Sequence, residues 1–197
     1  PDAPRGTLTE LRFRFDGNSP VAGVLPPEQV NLLVESAQEE VGKFAAIYVN
    51  GERVNGTGTG YHAAMLSPDG ARREVRHFAT FHDPAASAEM AAWLNAAPDG
   101  TLLALAAEDT VSAGEGTGGA ALGDEVWAAL QQWGATPLSD LRGQFRVSHA
   151  FIGQKGAAPG IALEDVSAIR PARVFNGVPL QSPQVAATFH SFQLEAE

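Results

Sequence analysis

Apolar and polar residues alternate in two rhythms along the chain, and the changes of rhythm mark its elements. Leu11, Phe13 and Phe15 alternate with Arg12 and Arg14, which predicts a strand over Thr7–Asp16 with one wet face. Three prolines and a glycine predict a loop over Asn18–Pro27. Val30–Val34 and Phe44–Val49 follow as strands. Asn50-Gly51 is a two-residue hairpin signal, because both central positions of that turn need positive φ, and it leads into Glu52–Val54. Tyr61–Leu66 is a further strand, closed by Pro68-Asp69-Gly70. Glu74–Phe81 comes next, with Val75, His77, Ala79 and Phe81 on one face.

The period then lengthens. Asp83 as cap and Pro84 at the first position predict a helix to about Ala97, with Met90, Trp93, Leu94 and Ala97 on one stripe. Pro98-Asp99-Gly100 ends it. Thr101–Ala107 is continuously apolar, as expected of a strand buried on both faces. A second helix is predicted over about Asp124–Trp133, with Val126, Trp127, Leu130 and Trp133 pointing one way and Gly134 closing it. A turn follows Pro137, then a strand over Phe145–Ile152 and a short helix over Ile161–Val166. Arg173–Phe175 and Val185–Leu194 are the last strands. Two clear helices are too few for a doubly wound sheet, so the expected class is α+β and β-rich.

Composition narrows the function classes. The 197 residues are 44% hydrophobic and 18% charged, which fits one domain with extended ends and a packed core. No apolar run approaches the ~20 residues of a membrane helix, so no membrane insertion is expected within this chain. No stretch resembles a signal-peptide leader. The net charge of −10 and the lack of a Lys/Arg stripe argue against nucleic acid as a partner. Cysteine is absent, which removes disulfides, thiolate metal sites and Cys nucleophiles together. The heavy use of Ala and Gly reads as a bacterial or phage coding bias.

The motifs associated with catalysis are weak. His62, His77, His82, His149 and His190 show no metal-ligand spacing, so neither metal nor cofactor is expected. There is no Gly-x-Ser-x-Gly elbow, and Glu39-Glu40 reads as a solvated end rather than an acid/base dyad. Gly114 to Gly119 satisfies Gly-x-Gly-x-x-Gly before a helix. However, residues 108–113 separate it from the preceding strand, and Glu115 and Asp124 would repel phosphate. It is read as a flexible surface loop of the kind that can fringe a binding site. Asn55-Gly56-Thr57 is a glycosylation sequon, meaningful only on a eukaryotic secretory route.

The most informative stretch is Leu141 to Gly156. As a strand it would place Phe145, Val147, His149 and Phe151 on one face and Arg146, Ser148 and Ala150 on the other. It resembles the Arg-Asp-x-Trp-x-Phe-Val-Gly-x-Lys-Gly motif of the ILEI/PANDER-type (interleukin-like EMT inducer) domain family, matching at Arg146, Phe151, Gly153, Lys155 and Gly156. Val147 stands where the family has Asp, and His149 where it has Trp; the form here is closest to bacterial members. The surrounding order agrees, from Phe44–Gly51 and Gly60–Gly70 through Phe78–Phe81 and Ala107–Ser112 to Leu130–Ala135. The resemblance implies two antiparallel sheets packed as a sandwich, flanked by two to four short helices. It divides the chain into an N-terminal extension with one strand (1–29), the ILEI-type domain (30–168) and C-terminal strands completing or extending it (169–197).

The family is related to the stem domain of O-mannose N-acetylglucosaminyltransferase, which binds sugar. Asp109 matches the acidic position of that domain's site, and Arg146 its arginine. A carboxylate that accepts and a guanidinium that donates can bracket vicinal hydroxyls, while an aromatic or imidazole face covers the apolar side of the ring. His149 is the candidate for that face, although alternation sets it opposite Arg146 and a core position is equally open to it. A purely structural ion pair is the competing reading of Asp109 and Arg146. The resulting expectation is a non-catalytic, lectin-like module, extracytoplasmic or at the cell surface and accessory to glycan-handling proteins, with a glycan or glycoconjugate as ligand. The alternative is a structural or assembly module that binds a protein partner or its own copies.

Overall fold

The computed structural model describes residues 30–68 and 72–176. The strands expected at Thr7–Asp16 and Val185–Leu194, the loop Asn18–Pro27, the turn residues Asp69-Gly70 and His190 lie outside the described residues. Among those described are nine strands and two α-helices. In chain order these are β1 (Leu32–Ala37), β2 (Phe44–Val49), β3 (Glu52–Arg53), β4 (Gly60–Leu66), β5 (Arg73–Phe78), α1 (Ala86–Ala96), β6 (Leu102–Glu108), α2 (Asp124–Gln131), β7 (Ser148–Gln154), β8 (Leu163–Ser167) and β9 (Ala172–Asn176). Two 3-10 turns, Glu39–Val41 and Pro137–Ser139, complete the set.

The fold is β-rich, as expected, but its strands form one mixed sheet where two antiparallel sheets were expected. β3, β2, β1 and β9 pair antiparallel in that order, and so do β5, β4, β6, β7 and β8. A single parallel pairing, Ala37 with Glu108, joins β1 to β6 and makes the sheet continuous. β9 lies in the segment expected to complete or extend the domain.

Alternation along β4, β6 and β7 builds two apolar layers. Tyr61, Ala63, Met65, Leu103, Leu105, Ala107 and Phe151 face the helices, meeting Met90 and Leu94 of α1 and Val126 and Leu130 of α2. Ala64, Leu66, Leu102, Ala104, Ala106, Ala150 and Ile152 join Leu32, Val34, Ala45 and Ile47 of β1 and β2. β6 is therefore buried along its whole length. Each fully buried Leu or Ile contributes ~1.5–3 kcal/mol.

The Lys155-Gly156 end of the motif proves to be a fastening between helices and sheet. Lys155 Nζ donates to Gln132 Oε1 at 2.7 Å and to the Leu94 carbonyl at 3.4 Å, and lies 5.6 Å from the centre of the Trp133 ring. The cation thus sits at the C-terminal ends of both helices, where the dipole favours it. Burial lowers its pKa, with Asp99 acting in the other direction. Gly153 is required by close approach, since a Cβ there would lie 2.4 Å from the Trp133 carbonyl oxygen.

Several local expectations change: the strand expected over Glu74–Phe81 ends at Phe78, and that expected over Val30–Val34 runs Leu32–Ala37. Ile161–Val166 is not a helix; Leu163–Ser167 is β8, paired with β7. The strand expected from Phe145 begins at Ser148, because Arg146 has φ 55° and breaks the extended run. α1 starts at Ala86, and Asp83 instead holds the turn before it by accepting from the Ala85 amide at 2.9 Å.

Candidate functional site

The β1–β2 connection is short and sharply bent. Gln38 caps its 3-10 turn, accepting from the Glu40 amide at 2.6 Å and donating to the Ala168 carbonyl at 3.1 Å. Gly42 and Lys43 follow at φ 141° and 50°. Asp109 sits just beyond β6 with φ 64°, its amide donating to the Ala37 carbonyl at 3.2 Å. Arg146 precedes β7, its amide donating to Thr110 Oγ1 at 3.2 Å.

These three bends converge. Asp109 and Arg146, paired from the resemblance, are neighbours: Arg146 Nε is 3.7 Å from Asp109 Oδ1. Lys43 Nζ is 3.4 Å from Asp109 Oδ2, and the Thr59 hydroxyl donates to the same oxygen at 3.4 Å. Lys43, Asp109 and Arg146 are three of the four non-glycine residues with positive φ among those described; the fourth, Asn50, serves the hairpin turn. Asp109 Oδ1 and Arg146 Nε are also buried without a hydrogen-bond partner.

The outer side of the cluster was not legible in the sequence. The terminal nitrogens of Arg146 pair with Glu39 and, at 3.1 Å, with Glu40, the two residues read as a solvated end. Both remain exposed, so they are solvated and also engaged. The guanidinium lies 5.0 Å from the centre of the half-buried Phe145 ring, which tilts against Phe81 at 5.8 Å. Three carboxylates thus surround two cations in contact distance.

His149 does not belong to this cluster. It is fully buried, with Nδ1 3.0 Å from the Tyr61 hydroxyl and Nε2 2.9 Å from Ser139 Oγ. Burial holds its pKa down to about 4 and the Tyr61 phenol above its ordinary range. Glu164, whose pKa is raised by burial, accepts from the Thr136 amide at 2.6 Å and the Thr136 hydroxyl at 2.5 Å. The imidazole bridges the two buried hydroxyls, one ring nitrogen donating and the other accepting. The imidazole face is therefore a core surface, and the half-exposed ring beside Arg146 is Phe145.

The Gly-rich loop has its own structural reason. Ala113 and Ala120 pinch its base at 2.8 Å, and the Ala120 amide donates to the Phe81 carbonyl at 2.7 Å. Thr117 closes the tip on Gly114. A Cβ on Gly119, at φ 82°, would lie 2.4 Å from the Phe81 ring. These contacts account for the glycine pattern by chain reversal over Phe81.

Beyond Thr59, His62 and His77 stack at 4.6 Å, and His62 Nε2 lies 3.4 Å from Glu108 Oε2, which has no hydrogen bond. Burial lowers the His62 pKa. Among the described residues, no group of three or more His, Asp or Glu is placed to hold a metal. No helix among them is long and apolar enough to cross a membrane. An open groove of about 760 Å³ lies between Met65, Glu74, Trp93 and Pro98, and none of the expected site residues lines it.

Comparison with known proteins agrees with the resemblance. Residues 59–157, just over half of the 197-residue chain, match the family model described as Interleukin-like EMT inducer (ILEI). No curated protein matches the chain.

Proposed function

We propose that this chain, which belongs to the ILEI family, is a non-catalytic carbohydrate-binding module working from the Lys43–Asp109–Arg146 cluster. The observation that supports this reading is strain coinciding with incomplete pairing. Three side-chain-bearing residues hold positive φ where they touch, at a cost of ~1–3 kcal/mol each. An acceptor and a donor, Asp109 Oδ1 and Arg146 Nε, face one another there without a hydrogen bond. A sugar hydroxyl both donates and accepts, and so can serve the two together. Phe145, rather than His149, supplies the ring for the apolar side of the sugar. Entry runs through the exposed side formed by Glu39, Glu40 and Lys43.

On the same reading the two strand groups are the layers of a sandwich, sharing the apolar cluster of β1, β2, β4, β6 and β7. The module would be extracytoplasmic or at a cell surface, where glycans are met. Calorimetric titration of a panel of neutral oligosaccharides into wild type and Arg146→Ala tests it. Wild type should bind, and the variant should bind at least about tenfold more weakly, the loss of roughly one charge-assisted hydrogen bond. Equal binding by both, or none by folded wild type, refutes the assignment.

A second reading, an assembly module, is favoured by Ile169 and Phe175, which stay exposed at 87% and 43% beside and on β9. A stable oligomer in light scattering and native mass spectrometry, indifferent to sugar, would support it.

A further inference from the structure

We infer that Glu39 and Glu40 make this site select against acidic sugars, so that its ligand class is an uncharged glycan. The inference rests on the proposed sugar site and adds the charge of what that site accepts. Both terminal nitrogens of Arg146, the groups a ligand carboxylate would seek, are already held by Glu39 and Glu40. An acidic sugar would have to displace a resident carboxylate and then remain beside it, because the turn is anchored by Gln38 at both the Glu40 amide and the Ala168 carbonyl.

Charge at the site points the same way. Lys43 is shared between Glu39 at 3.7 Å and Asp109 at 3.4 Å, leaving three carboxylates against two cations. A neutral hydroxyl meets no such opposition. It can donate to Glu39 or Glu40, which remain exposed, and to Asp109 Oδ1, which has no hydrogen bond and sits on a residue only 8% exposed, without bringing in charge. Glu39 and Glu40 are 107 and 106 residues from Arg146 and precede the stretch matching the family model. The selectivity is therefore a property of this chain's β1–β2 connection.

The test is a glycan array of matched pairs: oligosaccharides containing uronic acid, and the same oligosaccharides carboxyl-reduced to neutral forms. The proteins are wild type, Glu39→Gln/Glu40→Gln and a charge-matched control, Glu89→Gln/Glu125→Gln, on the two helices. Wild type and control should favour the neutral member of a bound pair by about tenfold or more, from like-charge repulsion at a few ångströms. The Glu39/Glu40 variant should narrow that ratio to about threefold or less by gaining acidic ligands. Equal wild-type binding to both members overturns the inference and leaves the sugar site standing. So does a ratio unchanged in the Glu39/Glu40 variant, or narrowed equally by the control. A blank array for folded wild type overturns the sugar reading and the inference with it. Should the double variant not fold, Glu40→Gln alone, at the more exposed position, is read by the same criteria.

Discussion

Replacing His149 by Phe tests the buried relay most directly. At neutral pH the imidazole joins Tyr61 to Ser139, and both hydroxyls are buried. Phe keeps a ring in the site and strands both hydroxyls, which costs roughly 1–3 kcal/mol for each. The pH dependence is the sharper signature. The folded-state pKa of about 4 lies below the ordinary 6.5, so between these values the unfolded chain binds the extra proton. The neutral imidazole's contribution is therefore complete above pH 6.5 and is lost as pH falls towards 4. At about 1.4 kcal/mol per pH unit, the whole span is worth about 3 kcal/mol. Protonation turns the accepting ring nitrogen into a donor facing a hydroxyl that was donating to it, which is the local reason for the loss. Urea unfolding of wild type and His149→Phe at half-unit steps from pH 4 to 8 measures this. The stability gap should be largest near pH 7.5 and shrink by about 3 kcal/mol by pH 4. His62 and Glu164 titrate in both proteins, with opposite signs, and cancel in the difference. A gap that stays constant across the range would refute the relay.

Other positions give independent checks. The Asn55 side chain accepts from the Ile47 amide at 2.7 Å and donates to the Ala45 carbonyl at 3.0 Å, so Asn55→Ala should cost about 1–3 kcal/mol in chemical denaturation. With its amide nitrogen so occupied, the sequon should carry no glycan when the chain is expressed through a eukaryotic secretory route, as read by intact-mass spectrometry. Lys155→Met keeps the stem and removes the cation at two helix ends, and should lower stability by about 1–2 kcal/mol in urea unfolding. Gly153→Ala forces a methyl group against the Trp133 carbonyl and should destabilise by about 1–3 kcal/mol, visible as a lowered Tm.

The strands whose pattern is local were the legible ones. β2 matches the expected Phe44–Val49, and β4 and β6 match within one residue at each end. β8 was misread because its apolar residues mix two periods, Ile161 and Leu163 being two apart and Leu163 and Val166 three apart, and its pairing with β7 settles its state. Asp109 and Arg146 could be paired only through the resemblance; nothing in their local sequence announces positive φ, which Gly and Asn adopt more readily. Glu39, Glu40 and Lys43 had no sequence signal at all, since Arg146 lies over a hundred residues away. His149 in a Trp position was open to a ligand face or a core place, and its burial follows from Tyr61 and Ser139 on other elements.

The single parallel pairing that joins β1 to β6, Ala37 with Glu108, has a mechanical consequence. Among the described residues the two strand groups pair backbone to backbone here, the Asp109 amide donating to the Ala37 carbonyl, while the Ser36 hydroxyl bridges the Ala107 carbonyl and the His149 amide and the Gln38 amide donates to Ser148 Oγ. Under load the seam rests on these few bonds, and the Lys43–Asp109–Arg146 cluster lies beside it. A ligand that held Asp109, Arg146 and the β1–β2 turn together, as proposed above, would reinforce the seam. Deuterium uptake at the Asp109 amide would record how often the seam parts and how firmly an occupant keeps it shut.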